Sequence, residues 1–120
     1  MARKIAATKL WESATMVGSG TNSGVTTSTA VDIQEADAMA LHVTAISGTT
    51  PSITFTYTLA PTLNGPFTKP VAGVTIGTAI AAVDVLDFAP EAAGAIKIVA
   101  TNNGTGAVVL TSYLVVQEAA

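Results

Sequence analysis

Ile53-Thr54-Phe55-Thr56-Tyr57-Thr58-Leu59 decides the fold class of this chain. Successive side chains of a strand point to opposite faces. Ile53, Phe55, Tyr57 and Leu59 therefore share one side, while Ser52, Thr54, Thr56 and Thr58 share the other. The first side is suited to a core. The second is a ladder of threonines that faces water or a neighbour.

Working outward from this strand, the same style of sequence continues in both directions. Upstream, Ala38–Ile46 alternates, with Met39, Leu41, Val43 and Ala45 on one side, and Ser47-Gly-Thr-Thr-Pro51 reads as a hairpin connection into the ladder. Before it, Thr26–Ile33 is β-branched and extended, and Gln34-Glu-Ala-Asp37 is a polar turn. Downstream, Asn64-Gly65 supplies the positive φ of a tight turn, and Pro70 and Gly73 mark residues 67–76 as an edge strand or a bulge. Residues 78–88 read as a strand centred on Val83 and Val85, and Ala89–Gly94 as a turn or one helical twist. Residues 95–101 and 107–117 read as a hairpin around Asn102-Asn-Gly-Thr-Gly106. In the last strand Val108, Leu110, Ser112, Leu114 and Val116 share one face, and Val109, Tyr113 and Val115 the other.

Seven or eight short strands with frequent turns and no long helix describe an all-β fold, an antiparallel β-sandwich or jelly roll. Alanine is abundant, but its neighbours are valine, threonine and isoleucine, which lose rotamer freedom in a helix. At 120 residues the length suits one domain. We place the sandwich at residues 25–120. Residues 1–24 are an extended N-terminal arm or a first strand, with a helix over 3–13 as a third option. Arg3, Lys4 and Lys9 are three of only five basic residues, and Trp11 is the sole tryptophan.

Charged residues make up 11% of the chain, against about 25% in an average soluble domain, and the net charge is −3. So few charges point to surface that is covered in the working state. They also argue against nucleic-acid binding, which needs a basic footprint. No apolar run approaches a membrane-spanning length, because Asp84 and Asp87 interrupt the longest candidate. Lys9 breaks the apolar stretch after Arg3 and Lys4 too early for a secretory leader, so synthesis in a cytoplasm is expected.

Chemistry is sparse. With no cysteine and one histidine, His42, set in an apolar strand, no nucleophilic triad is legible. Asp32, Glu35 and Asp37 lack the spacing of a calcium loop and read as a solvated turn. Asp84 and Asp87 lie three apart, which in a strand puts them on opposite faces and gives no support to a glycosidase pair. We expect no enzyme, no metal and no cofactor. Trp11 and Tyr113 are the aromatics that core packing leaves unassigned, and a sugar-binding module would use them as platforms.

The segment Val43-Thr-Ala-Ile-Ser-Gly-Thr-Thr-Pro-Ser-Ile-Thr-Phe-Thr-Tyr57, then Asn64-Gly-Pro-Phe-Thr68, resembles small virion proteins of tailed bacteriophages. Ala95–Thr105 and its partner strand resemble their terminal hairpin, so the likeness spans roughly residues 38–116. It implies a capsid decoration or cement protein, located on the virion and bound to the major capsid protein as a dimer or trimer. In that role Arg3, Lys4, Lys9 and Trp11 would form a docking arm, its cations meeting acidic capsid surface and Trp11 serving as a buried anchor. A tail or neck component and a glycan-binding or adhesive module are the alternatives.

Overall fold

The structure, a computed structural model, describes residues 5–16, 24–34, 36–48, 51–69, 74–89 and 92–118. Among these, nine strands alternate with turns: β1 (Ile5–Met16), β2 (Val25–Thr27), β3 (Val31–Asp32), β4 (Ala36–Gly48), β5 (Ile53–Ala60), β6 (Thr75–Ile80), β7 (Asp84–Phe88), β8 (Ala95–Asn102) and β9 (Val108–Glu118). One sheet has the order β1-β9-β4-β7. The other runs β2-β8-β5-β6, with β3 also on β8. Every pairing is antiparallel. The two sheets pack into a β-sandwich.

The threonine-ladder segment is β5, and its alternation is realised as read. Ile53, Phe55, Tyr57 and Leu59 are buried, and Thr54, Thr56 and Thr58 are half-buried on the outer face. In β9 the inward set is Val108, Leu110, Ser112, Leu114 and Val116. Large and small residues are matched in the core. Phe55 lies beside Ala100, and Trp11 beside Ser112. The two rings then meet across the interlayer space with centroids 6.4 Å apart. Tyr57 and Phe88 repeat the contact between sheets at 5.7 Å. Packing of this kind fills the space between layers.

Three connections differ from the sequence reading. Ser47–Pro51 does not join a hairpin, because β4 and β5 belong to different sheets. Asn102–Gly106 likewise carries the chain from β8 in one layer to β9 in the other. Residues 78–88 hold parts of two strands, since the chain leaves β6 and crosses to β7 in the opposite sheet. Residues 26–33 are also interrupted. There the Ser28 amide donates to the Ile98 carbonyl (2.8 Å), and the Ile98 amide donates to Ser28 Oγ (2.9 Å). A side chain thus replaces a backbone group in the ladder. The Asn64-Gly65 turn is as expected, with Gly65 at φ 86° and its amide donating to the Thr62 carbonyl at 3.0 Å.

The reason for the 102–106 crossing is a buried side chain. Asn102 is 1% exposed. Its Nδ2 donates to the Gly106 carbonyl (3.0 Å) and to the Met16 carbonyl at the end of β1 (3.4 Å), while its Oδ1 accepts from the Gly104 amide (3.0 Å). The amide therefore shapes the turn and ties the two sheets together at that end. Asn102→Ala would remove the partner of the buried Met16 carbonyl and the side-chain bonds to the half-buried Gly104 and Gly106. We expect it to cost about 2 kcal/mol, measured by denaturant unfolding.

Ser112 is the opposite case. Its hydroxyl is fully buried and finds no hydrogen-bond partner among the described residues. Ser112→Ala keeps the small volume that Trp11 needs and removes a desolvated polar group. A gain of up to about 1 kcal/mol in unfolding free energy is expected.

Candidate interaction surfaces

Inward alternation on β1, β9, β4 and β7 leaves an outward set that lines up across the sheet in rows. Ile5, Gln117 and Ala38 form one row. Ala7, Val115, Ala40 and Asp87 form the next, and Lys9, Tyr113, His42 and Val85 the third. Ile5 is 68% exposed and Val85 54%. Lys9 and Asp87 are the only charges at these outward register positions, one at each margin of the sheet.

Lys9 is already engaged. Its Nζ lies 3.3 Å from Glu12 Oε1 and 5.7 Å from the centre of the Tyr113 ring. The hydrogen bond and negative charge of Glu12, aided by Tyr113, hold the ammonium above its ordinary pKa. The pair is solvent-exposed, so its energetic weight is small.

The outer face of the other sheet is polar but equally poor in charge. Thr54, Thr56 and Thr58 sit opposite Thr101, Val99 and Lys97, and Val25 and Thr27 extend the face across β2. Lys97 Nζ stands 4.5 Å over the Phe67 ring. Asp32 and Lys97 are the charges at outward register positions here.

The four residues proposed from the sequence as a docking arm are not alike. Arg3 and Lys4 lie outside the described residues. Lys9 is on the sheet edge. Trp11 is 8% exposed and packed on Phe55, so it anchors its own sandwich and offers little surface to a partner. Residues 5–16 are thus the first strand, one of the options for this segment. A register shift between Lys9 and Trp11 is what turns the indole inward. Because side chains alternate with period two, one extra residue moves everything beyond it to the other face, and a sequence does not announce where that residue falls.

The edges of both sheets are poor templates for a further strand. β1 carries two register shifts, the Lys9–Glu12 ion pair and Ser13 at φ 47°. β7 has five residues and β2 three, while β6 includes Ala79 at φ 55°. Short, bulged or charged edges resist edge-to-edge growth.

A hollow of about 690 Å³ opens at the end of the sandwich where β3, β4 and β7 meet. Ile33, Ala36, Met39, Phe88 and Ala93 line it, together with Asp37 and Asp87. His42 faces outward, with Tyr113 and Val85 as its cross-strand neighbours. Asp84 and Asp87 have opposite strand parity, as their spacing predicted. Among the described residues no three His, Asp or Glu side chains gather as a metal site would require.

No protein-family model matches the chain, and no curated protein matches it.

Proposed function

We propose that this protein is a structural component of a bacteriophage virion that decorates and stabilises the head, binding the major capsid protein between its subunits. It acts as a dimer or trimer on the capsid surface, after synthesis in the host cytoplasm, and performs no turnover. The observation that carries this reading is the poverty of charge on both outer faces. Among the described residues, the paired outward positions hold two charges on each face, Lys9 and Asp87 on one, with Glu12 against Lys9, and Asp32 and Lys97 on the other. Surfaces of this kind suit association by shape, with charge kept to the rim. The blunted edges support the same reading, since they favour closed contacts over open-ended sheet growth. The pattern likeness of residues 38–116 to small phage virion proteins supplies the kind of partner.

Phage heads prepared without the protein provide the test. Added protein is expected to co-sediment with them in hundreds of copies per particle and to raise the temperature at which they release DNA. Heads that neither bind it nor gain resistance would remove the proposal, and a stoichiometry of about a dozen would reassign it to a neck or tail part. Arg3 and Lys4 are the cations left to steer docking. Deleting residues 1–4 keeps β1 whole, whereas deleting 1–12 would remove most of an edge strand. The shorter deletion is expected to weaken head binding about tenfold at low salt and to leave the melting midpoint unchanged.

A further inference from the structure

We propose that the outer face of the β1-β9-β4-β7 sheet is the self-association surface, covered by the same face of a second copy about a two-fold axis parallel to the strands. This names the contact behind the self-association in the preceding reading, and it is independent of the capsid.

Four observations carry it. First, the face presents apolar side chains between charged margins: Ile5 and Val85 are exposed and Val115 and Ala40 half-buried between them, while the charges sit on the outer strands, Lys9 with Glu12 on β1 and Asp87 on β7. Second, it is large enough. Four strands about 4.8 Å apart and averaging about ten residues at about 3.4 Å each, with β7 the shortest, give a patch of roughly 650 Å² before side-chain relief is counted. A standard interface takes about 800 Å² per partner.

Third, the charges are complementary under one particular symmetry. Lys9 lies on β1 and Asp87 on β7, at opposite margins and one row apart. A two-fold axis parallel to the strands, passing between β9 and β4, lays β1 over β7 of the second copy. Each Lys9 then approaches Asp87 of the second copy, and each Tyr113 ring lies over the imidazole of His42 in the same row. An axis across the strands would instead stack β1 on β1 and Lys9 near its own copy. Face-to-face stacking at about 10 Å is the ordinary spacing of packed sheets, and an isologous contact of this kind closes at two.

Fourth, the competing surfaces are worse. The edges are bulged or short, and the threonine face carries hydroxyls that must find partners when they leave water. Lys97, stacked on Phe67, would have to be stripped of water as well.

Sedimentation equilibrium of the intact chain is expected to give a dimer at micromolar concentration. Val115→Glu, at the centre of the face, should yield a folded monomer whose melting midpoint, unlike that of the wild type, does not rise with protein concentration. Val25→Glu, at an exposed position on the other sheet, should remain dimeric. Lys9→Glu or Asp87→Lys alone should raise the dissociation constant about tenfold, and the two together should restore it. This charge exchange decides the matter even if Val115→Glu fails to fold. A wild-type chain that stays monomeric at 100 µM, a trimer, or a dimer lost in Val25→Glu but kept in Val115→Glu overturns the proposal. Since no heads are present, these results are separable from capsid binding: a dimer that ignores heads removes only the decoration reading.

Discussion

Gly94→Ala is expected to lower the melting midpoint by about 10 °C or more, and to leave a fraction of the protein unfolded at 37 °C. The cause is a close approach of backbone to backbone. A Cβ on Gly94 would be driven into the carbonyl group of Pro61, reaching the carbonyl carbon at 2.8 Å and lying only 3.4 Å from Thr62 Cα. No rotamer can relieve this, because the obstacle is main chain. Moving the main chain apart has its own cost. The Gly94 amide donates to the Ala60 carbonyl at 2.9 Å, and the Gly94 carbonyl accepts from the Ile33 amide at 3.0 Å. Gly94 thereby joins the end of β5 to the segment after β3, just before β8 begins. Overpacking usually costs about 1–3 kcal/mol, and the strained or broken hydrogen bonds add to it, so about 3–4 kcal/mol is expected. That is a large share of the roughly 5–15 kcal/mol available to a domain. A midpoint within 2 °C of wild type would show that the 61–62 loop can retreat freely.

The faces of the strands were legible because period-two alternation is local. Nothing beyond Ile53–Leu59 is needed to sort Phe55 from Thr56, and Val108–Val116 sorts itself in the same way. The connections were not legible, for a physical reason. Asn102-Asn-Gly-Thr-Gly106 carries the same glycine and asparagine signals whether a chain doubles back within one sheet or crosses to another. The difference lies in the side chain of Asn102, which turns inward to hold Met16 of the distant first strand. That contact is separated by 86 residues and leaves no local trace.

The interaction surface divides the same way. Lys9 could be singled out from the sequence as one of few cations, and Asp84 and Asp87 were correctly set on opposite faces. The inward turn of Trp11 is not legible, because the register shift beside it is invisible without its partner strand. The apolar face of the first sheet could not be assembled in advance either, since its middle row joins residues 7, 115, 40 and 87. Only the strand order β1-β9-β4-β7 brings them together. A chain with so little reactive chemistry shows its interesting surface through topology, and local motifs have little to say about it.

Phe55→Ala is expected to destabilise the sandwich by about 3–5 kcal/mol, the range for removing a buried aromatic ring. Phe55 is fully buried, in register with Ala100 on β8 and facing Trp11 of the opposite sheet at a 38° tilt. Ala100 is too small to fill the void, and Trp11 is held by its own strand, so the site can collapse only in part. The loss is therefore the transfer term plus most of a ring-sized cavity. Phe55→Leu keeps more of the volume and should cost about 1–1.5 kcal/mol. The sole tryptophan of the chain is the natural reporter, because it forms the other wall of the same space. Urea unfolding followed by Trp11 emission should show the midpoint falling in the order wild type, Leu, Ala, with an unchanged slope. The native emission of the alanine variant should shift to longer wavelength as water reaches the indole. If Phe55→Ala costs less than 1 kcal/mol and the emission does not move, the two rings do not share a core, and the pairing of β1 with the sandwich would have to be abandoned.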